Sequence, residues 1–454
     1  MGNAYVIGGG ANGIATAITL SMKGHQVTVL EARPEIGGRC GLVPDTTTVQ
    51  PWAVGELGLT LEWADAHPTT LVGADGCRSI SKDDPNVDAW RQHVDSFRDV
   101  IVDLTTQVAP DIRRGGALKT LWPALLSGMK LGRALGMELA RIGPLSAEDW
   151  LDEWKIDRST QAALVQPALR GAWMGPRSPS SALAVLFHHA LSGTRIEGGM
   201  AALLTALQQR ATEGGVTIRT DSPVASLRIE GGRVSGVVLA DGDVLDSDLV
   251  VSTVGPVRTL LGLVPPQDLP PPMYDSIRHF RSRGIVAHME CSLTQPLFDG
   301  SAHIVVADDT AMVERAFDDA KHRRMPRRPT LEIFQANDRA RILIFGVAHD
   351  LDEGWSQATR DELQGLVLGL LSAHGQQDAI GEVLVRTPAD LEAEFGLEGG
   401  HLFHGEFALD QFLSFRPHPS LSGHTTGIDG LRLGGCGTHP AGGLTLVQGV
   451  LAGR

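Results

Sequence analysis

The chain has 454 residues, enough for two or three domains of ordinary size around a large core. Its 39 basic against 53 acidic side chains, a formal net charge of -14, argue against a nucleic-acid binder, which would present a basic face. No run reaches the roughly 20 apolar residues that cross a bilayer, the N-terminus lacks a basic region ahead of an apolar core, and the four cysteines are scattered without a C-x-x-C pair. A cytoplasmic protein without a transmembrane segment, a disulfide framework or a metal site is expected.

The first forty residues set the pattern. Ala4–Ile7 reads as a buried strand, Gly8-Gly9-Gly10-Ala11-Asn12-Gly13 as a glycine turn, and Asn12–Lys23 as a helix closed by Gly24. A second strand, Val27–Leu30, ends at Glu31. Strand, glycine turn, helix, strand and acid, in that order, make a dinucleotide cradle. Gly8 allows the tight turn, Gly10 lets the backbone approach a pyrophosphate, and Gly13 lets the helix pack on the strand. The peptide N–H groups at the start of the helix face the diphosphate, and Glu31 can accept both hydroxyls of a ribose. The sequel, Ala32-Arg33-Pro34-Glu35-Ile36-Gly37-Gly38-Arg39, adds a second glycine pair between two arginines. A nicotinamide domain has no need of this pair, so FAD is the expected cofactor.

Residues 41–85 look irregular, broken by Pro44, Pro51, Pro68 and Pro85. The pattern then turns helical over 87–108, 117–142, 146–155, 159–172 and 179–192. In the second of these, Leu118, Leu121, Trp122, Leu125, Leu126 and Met129 recur at three-four spacing beside Lys119, Lys130 and Arg133. A core-facing helix and an interfacial helix that collects a greasy substrate from a membrane both fit that pattern. Gly198-Gly199-Met200 opens a helix to about Glu213, followed by a strand Val216–Arg219. A glycine-turned meander then runs through Val224–Ile229, Val234–Leu239 and Leu249–Ser252. Residues 263–272 form a proline-dense linker, a candidate domain crossing. Strands near 284–291, 302–306, 330–335 and 341–348 and a helix over Arg360–His374 suit an antiparallel sheet with a covering helix. The segment 430–435 is one more buried strand entering a glycine loop.

Three separated blocks carry a family resemblance: the N-terminal cradle, Gly198-Gly199-Met200 with the hairpin ending Val250-Val251-Ser252-Thr253, and Gly434-Gly435-Cys436-Gly437-Thr438-His439-Pro440-Ala441-Gly442-Gly443. Together they resemble the phytoene desaturase-like FAD oxidoreductases. This group includes carotenoid desaturases and isomerases, retinol saturase and pyridine nucleotide-disulfide oxidoreductase domain-containing relatives. Thr387-Pro388-Ala389-Asp390-Leu391 and Phe403-His404-Gly405-Glu406 are similar to its bacterial phytoene dehydrogenase-like subgroup.

The resemblance implies an α/β fold with a discontinuous Rossmann-like FAD domain of the glutathione reductase and amine oxidase type. That domain would comprise 1–75, 198–262 and 400–454. An α+β substrate domain with a helical insert would comprise 76–197 and 263–399. Gly8, Gly10, Ala11, Asn12 and Gly13, with Glu31, Ala32, Arg33, Gly37, Gly38 and Arg39, would hold the adenine dinucleotide end. Val224 would offer backbone to the adenine, Gly435 and Cys436 would meet the pyrophosphate or ribityl chain, and Gly442-Gly443-Leu444 would sit by the flavin ring. A helix starting near Leu444 would aim its N-terminal dipole at the ring. Two positions depart from the family: Ala441 replaces a third glycine, and Asp45-Thr46-Thr47 replaces an acid-x-glycine segment.

His439 is the side chain expected near the ring, as the catalytic candidate. Trp173, His188 and His404 are candidate substrate contacts. His401-x-x-His404 with Glu406 has the look of metal ligands but lacks a third imidazole or cysteine at fixed spacing, so a structural or substrate-facing role is preferred. The expected reaction moves a hydride from a largely apolar small molecule to flavin N5, with oxygen or a quinone open as electron acceptor and peripheral membrane contact open as well. Two alternatives are a redox-neutral isomerase that uses the flavin transiently, and a non-catalytic lipid-binding escort of the same fold.

Overall fold

The structure is a computed structural model that describes residues 2–80, 84–109, 132–440, 442–443 and 445–454. Most of the helix expected over 117–142 lies outside these residues, as do Ala441 and Leu444.

A five-stranded parallel sheet organises the cofactor half. Asn3–Ile7 is its centre, flanked by Gln26–Leu30 and Leu249–Ser252, with Thr217–Arg219 and Leu431–Leu433 at the edges. Val6, Val29, Val250 and Val251 are fully or almost fully buried, as parallel strands covered on both faces require. The helix Ala11–Met22 packs on this sheet, and the last helix, Val447–Gly453, packs on it in turn. Their approach is too close for side chains: a Cβ on Gly449 would lie 2.1 Å from the Asn12 carbonyl oxygen. The two ends of the chain thus meet at the start of the first helix.

Two expectations change here. Leu249–Ser252 is not the last strand of the meander but an inner strand of the parallel sheet. The meander consists of Val224–Glu230, Arg233–Leu239 and Val244–Asp246. An all-apolar Leu-Val-Val run fits a strand buried on both faces better than a hairpin with one wet face. Residues 263–272 are not the crossing either, because Leu263, Val264, Leu269, Met273 and Ile277 pack in one cluster with Ile7 and Leu30 of the parallel sheet. The chain reaches the second sheet only at Val286–Leu293.

That second sheet has seven strands in the order Ile380–Arg386, Val286–Leu293, Arg339–Phe345, Thr330–Ala336, His303–Val306, Thr69–Gly73, Gly76–Ser79. All its pairings are antiparallel except that of Thr69–Gly73 with His303–Val306. Thr69–Gly73 comes from the stretch read as irregular and assigned to the cofactor half. Its Leu71 and Val72 are buried in the other sheet instead. The helix Gln357–Ala373 starts three residues before its expected position, where Ser356 and Thr359 form a capping box. The helical insert divides 87–108 into Pro85–Asp95 and Arg98–Thr106, then continues through Ala147–Glu153, Arg158–Leu169 and Ser181–Leu191.

Candidate active site

Local chain geometry builds the cradle. Gly8 has φ 102°, and a Cβ on Gly13 would stand 1.9 Å from the Gly8 carbonyl oxygen, so the helix can only pack here with glycine at 13. Gly10 is different: a Cβ there would meet nothing within 4 Å, which leaves open space where a pyrophosphate would lie. Glu31, at the end of its strand, is 8% exposed. Its Oε2 accepts the Gly9 N–H at 2.6 Å and its Oε1 accepts the Arg33 N–H at 2.9 Å. Gly37 bridges to Gly10 and donates its N–H to the Gly9 carbonyl at 2.9 Å, so the second glycine pair lies against the first. Ala11 is buried at the helix start and Ala32 is exposed in the turn after Glu31. The guanidinium of Arg33 stacks 4.1 Å over the Phe395 ring. Ser222 N–H donates to the Glu31 carbonyl at 2.8 Å, which brings Val224, two residues on, to the same end of the cradle.

At the other end, Asn12 Nδ2 donates to Cys436 Sγ at 3.2 Å and to Gln448 Oε1 at 3.3 Å, while Asn12 Oδ1 is buried without a partner. Gly435 packs against the Thr253 carbonyl, where a Cβ would approach to 2.5 Å. Arg39 donates to Thr445 Oγ1 at 3.2 Å and lies 4.8 Å over Phe403; Thr48 Oγ1 donates to the Gly443 carbonyl at 2.8 Å. The N-terminal arginine loop and the C-terminal glycine loop therefore close on each other. An open Gly10, a fixed Glu31 and an orphaned Asn12 oxygen fit an adenine dinucleotide.

Gly442, Gly443, Arg39 and Thr48 form one wall of a small cavity of about 60 Å³. Val43, Pro167, Ala184, Phe187, Leu191, Phe403 and Phe407 make its sides apolar, and Asp45, Arg170 and His188 form a polar end that it shares with a larger open cleft. Arg170 Nη2 donates to Asp45 Oδ2 at 2.5 Å, and Arg170 Nη1 lies 3.8 Å from Glu332 Oε2. Glu332 Oε1 is 2.9 Å from His303 Nε2, whose other ring nitrogen is 3.0 Å from Thr69 Oγ1. Burial alone would raise the Asp45 carboxyl; Arg170 and the Thr47 hydroxyl and N–H outweigh it and hold the group below the usual carboxylate range. Burial, with His189 and Arg170 adding to it, pushes His188 well below an ordinary imidazole, so the ring is neutral.

Of the substrate candidates, His188 lines the cavity and the other two do not. Trp173 lies between Arg283, 4.9 Å from its ring, and Phe317. His404 packs by Gly255, where a Cβ would sit 2.8 Å from its Nδ1. His439 is 3% exposed, has Nε2 2.9 Å from the Gln107 carbonyl, and borders neither the cavity nor the cleft. The expectation that it lies beside the flavin ring finds no support in this geometry, because the glycine loop that precedes it turns its imidazole toward the helical insert. His401 Nδ1 accepts the Phe403 and Gly405 N–H groups, and Glu406 pairs with Arg283, so both hold the 401–406 loop. Sequence reasoning missed Asp45, Arg170, Glu332 and His303. The one signal was Asp45, singled out as a departure from the family pattern.

The parallel sheet with its glycine cradle and the separate, mainly antiparallel sheet define a protein of the flavin-binding oxidoreductase class. A family model for flavin-containing amine oxidoreductases matches residues 12–453, and the chain belongs to that family. Pyridine nucleotide-disulfide oxidoreductase domain-containing protein 2 of Rattus norvegicus is 29% identical over 378 residues, covering 73% of this chain and 64% of that protein. Hydroxyneurosporene desaturase of Cereibacter sphaeroides is 30% identical over 314 residues, 59% of each chain. These matches span less than two thirds of either relative's own length. Putrescine oxidase, solved with putrescine bound, shares the fold with a TM-score of 0.58 at 16% identity, covering 99% of this chain and 97% of that one. Among the described residues no helix is long and apolar enough to cross a membrane.

Proposed function

We propose that the protein is an FAD-dependent desaturase or dehydrogenase acting on a largely apolar small molecule. One observation carries the reading: the cavity is walled on one side by the cofactor loops at Arg39, Thr48, Gly442 and Gly443, and on the other by Phe187, Leu191 and Phe407. Bound flavin supplies the redox chemistry by accepting a hydride at N5. Glu31 would hold the ribose hydroxyls and the N–H groups after Gly10 would hold the diphosphate. The phenylalanine and leucine walls exclude water and align the C–H bond to be broken. Neutral His188, at the polar end beside Asp45 and Arg170, offers a ring nitrogen that orients the substrate, and the proton that accompanies the hydride leaves through the open cleft. Relatives named as desaturases agree with this reading.

The test is anaerobic reduction of the purified protein's visible absorbance by candidate substrates. Bleaching by an apolar C–H donor supports the proposal. Turnover without bleaching or added acceptor would indicate an isomerase, and a colourless protein that takes up no FAD would indicate an escort.

A further inference from the structure

Arg341 stands in the strand Arg339–Phe345, on the face turned toward the cleft. Its Nε is buried without a partner, and no described residue forms a hydrogen bond or ion pair with its guanidinium. Its cross-strand neighbours are Phe334 on one side and Glu290, which pairs with Arg339, on the other, and the Arg170 guanidinium lies 5.9 Å from the Phe334 ring on the helical side. Arg170 Nη1 is also buried without a hydrogen bond. Arg341 is thus the cross-strand neighbour of a ring that Arg170 approaches, and each guanidinium has an N–H unused among the described residues.

Among the described residues no carboxylate pairs with it. Asp45 and Glu332 are engaged by Arg170, Asp95 by Arg98, Glu197 by Arg195 and Glu290 by Arg339, while Asp65, elsewhere on the cleft, forms no ion pair with Arg341. A half-buried guanidinium with no direct ion pair and a buried, unpaired Nε is costly unless a ligand supplies an acceptor. An ammonium offers only donors and would repel the arginine. A neutral oxygen satisfies one N–H and leaves the charge. A carboxylate meets both, in the planar two-oxygen geometry that a guanidinium matches.

The cleft and the apolar cavity share Asp45, Pro167, Arg170 and His188. A molecule whose head lies at Arg341 can therefore extend past Arg170 into the cavity walled by Phe187 and Phe403. We propose that Arg341, assisted by Arg170, seats the carboxylate of an amphiphilic substrate whose apolar body reaches the cofactor loops. The proposal rests on the reading of that cavity as the substrate site and narrows it to acids with a long apolar chain.

Calorimetric titration of the full-length, cofactor-loaded protein with decanoate, decanol and decylamine tests it. Decanoate should bind at least about tenfold more tightly than the other two. In Arg341→Met that preference should vanish, while the thermal midpoint stays level or rises, since no hydrogen bond is lost and an uncompensated charge is removed. Arg341→Gln should show the same loss with a polar side chain retained. Equal binding of the three probes by the native protein would overturn the proposal, as would unchanged decanoate affinity in both variants, or a collapse of the midpoint in both, which would mark Arg341 as structural. Calorimetry needs no turnover, so it fails or succeeds apart from the redox reading, whose failure is the absence of a yellow chromophore.

Discussion

Arg170 and Asp45 meet at 2.5 Å, Nη2 to Oδ2, where the helical insert touches the loop after the second glycine pair. Both side chains are under a tenth exposed, and 125 residues of chain separate them. The pair forms the polar end of an otherwise apolar cavity. The loop beside the cofactor cradle is thereby locked to the helical insert by the same contact that shapes the pocket.

Breaking this pair from one side should be costly. Asp45→Ala leaves a buried guanidinium with Glu332 at 3.8 Å as its remaining carboxylate, and stability should fall by about 3–5 kcal/mol in urea denaturation. The double variant Asp45→Ala with Arg170→Met should recover part of the loss, a coupling that a double-mutant cycle measures. Strictly additive losses would show that the pair is not a unit.

Two glycines three residues apart should respond in opposite ways. Gly10 has φ -70° and ψ 171°, accessible to any residue, and free space at its Cβ, so Gly10→Ala should fold with an unchanged thermal midpoint yet lose FAD, because the methyl enters the pyrophosphate space. Gly13→Ala should not yield stable protein, since its Cβ collides with the Gly8 carbonyl. Full cofactor content in folded Gly10→Ala, read from visible absorbance, would refute the placement of the diphosphate.

Arg416 is completely buried and donates to the carbonyls of Phe403, Gly405, Glu406, Gln411 and Cys436 at 2.8–3.2 Å. Burial lowers its pKa to about 10, still charged at neutral pH. One side chain thus ties the loop carrying Phe403 to the loop carrying Cys436. Arg416→Met leaves these carbonyls unpaired, each a cost of about 1–3 kcal/mol, and should yield protein that is aggregated or free of flavin. Normal yield and cofactor content would show that the loops hold without it.

The protein should lose stability in mild acid through its buried histidines. His288, His401 and His424 are 0%, 1% and 2% exposed, and burial pushes each from 6.5 to about 3. Between those values the unfolded chain binds protons that the folded chain refuses, so stability falls as pH drops below 6.5 and gains nothing from these groups above it. By about pH 5 each should remove about 2 kcal/mol. Urea midpoints at about pH 7.5 and about pH 5 measure this, and a midpoint that holds or rises in acid would contradict it.

The cradle was legible because every part of it is local. Strand, turn, helix and acid lie within Ala4–Glu31, and glycine spacing alone dictates which carbonyls and N–H groups meet. The antiparallel strands near 286–293, 330–336 and 339–345 were legible for the same reason, through alternation and turn residues. Register and partner choice were not. Leu249–Ser252 reads as a hairpin strand until its place between Asn3–Ile7 and Leu431–Leu433 is seen, and Thr69–Gly73 reads as loop until His303–Val306 pairs with it. Arg416 before Pro417 carries no local pattern that announces five carbonyl partners.

Sequence alone pointed to a dinucleotide at the N-terminal turn, because glycine spacing and the terminal acid set that cradle, while the return of the last glycine loop was implied by the family resemblance. Tertiary structure alone decided what lines the cavity. It turned His439 toward Gln107 and away from the cavity, brought Asp45 to Arg170, and left Arg341, between Phe334 and Glu290, with no ion pair among the described residues. Those outcomes depend on which distant segments share a wall. Burial and charge balance among such segments are properties of the packed chain, with no signature in the order of its residues.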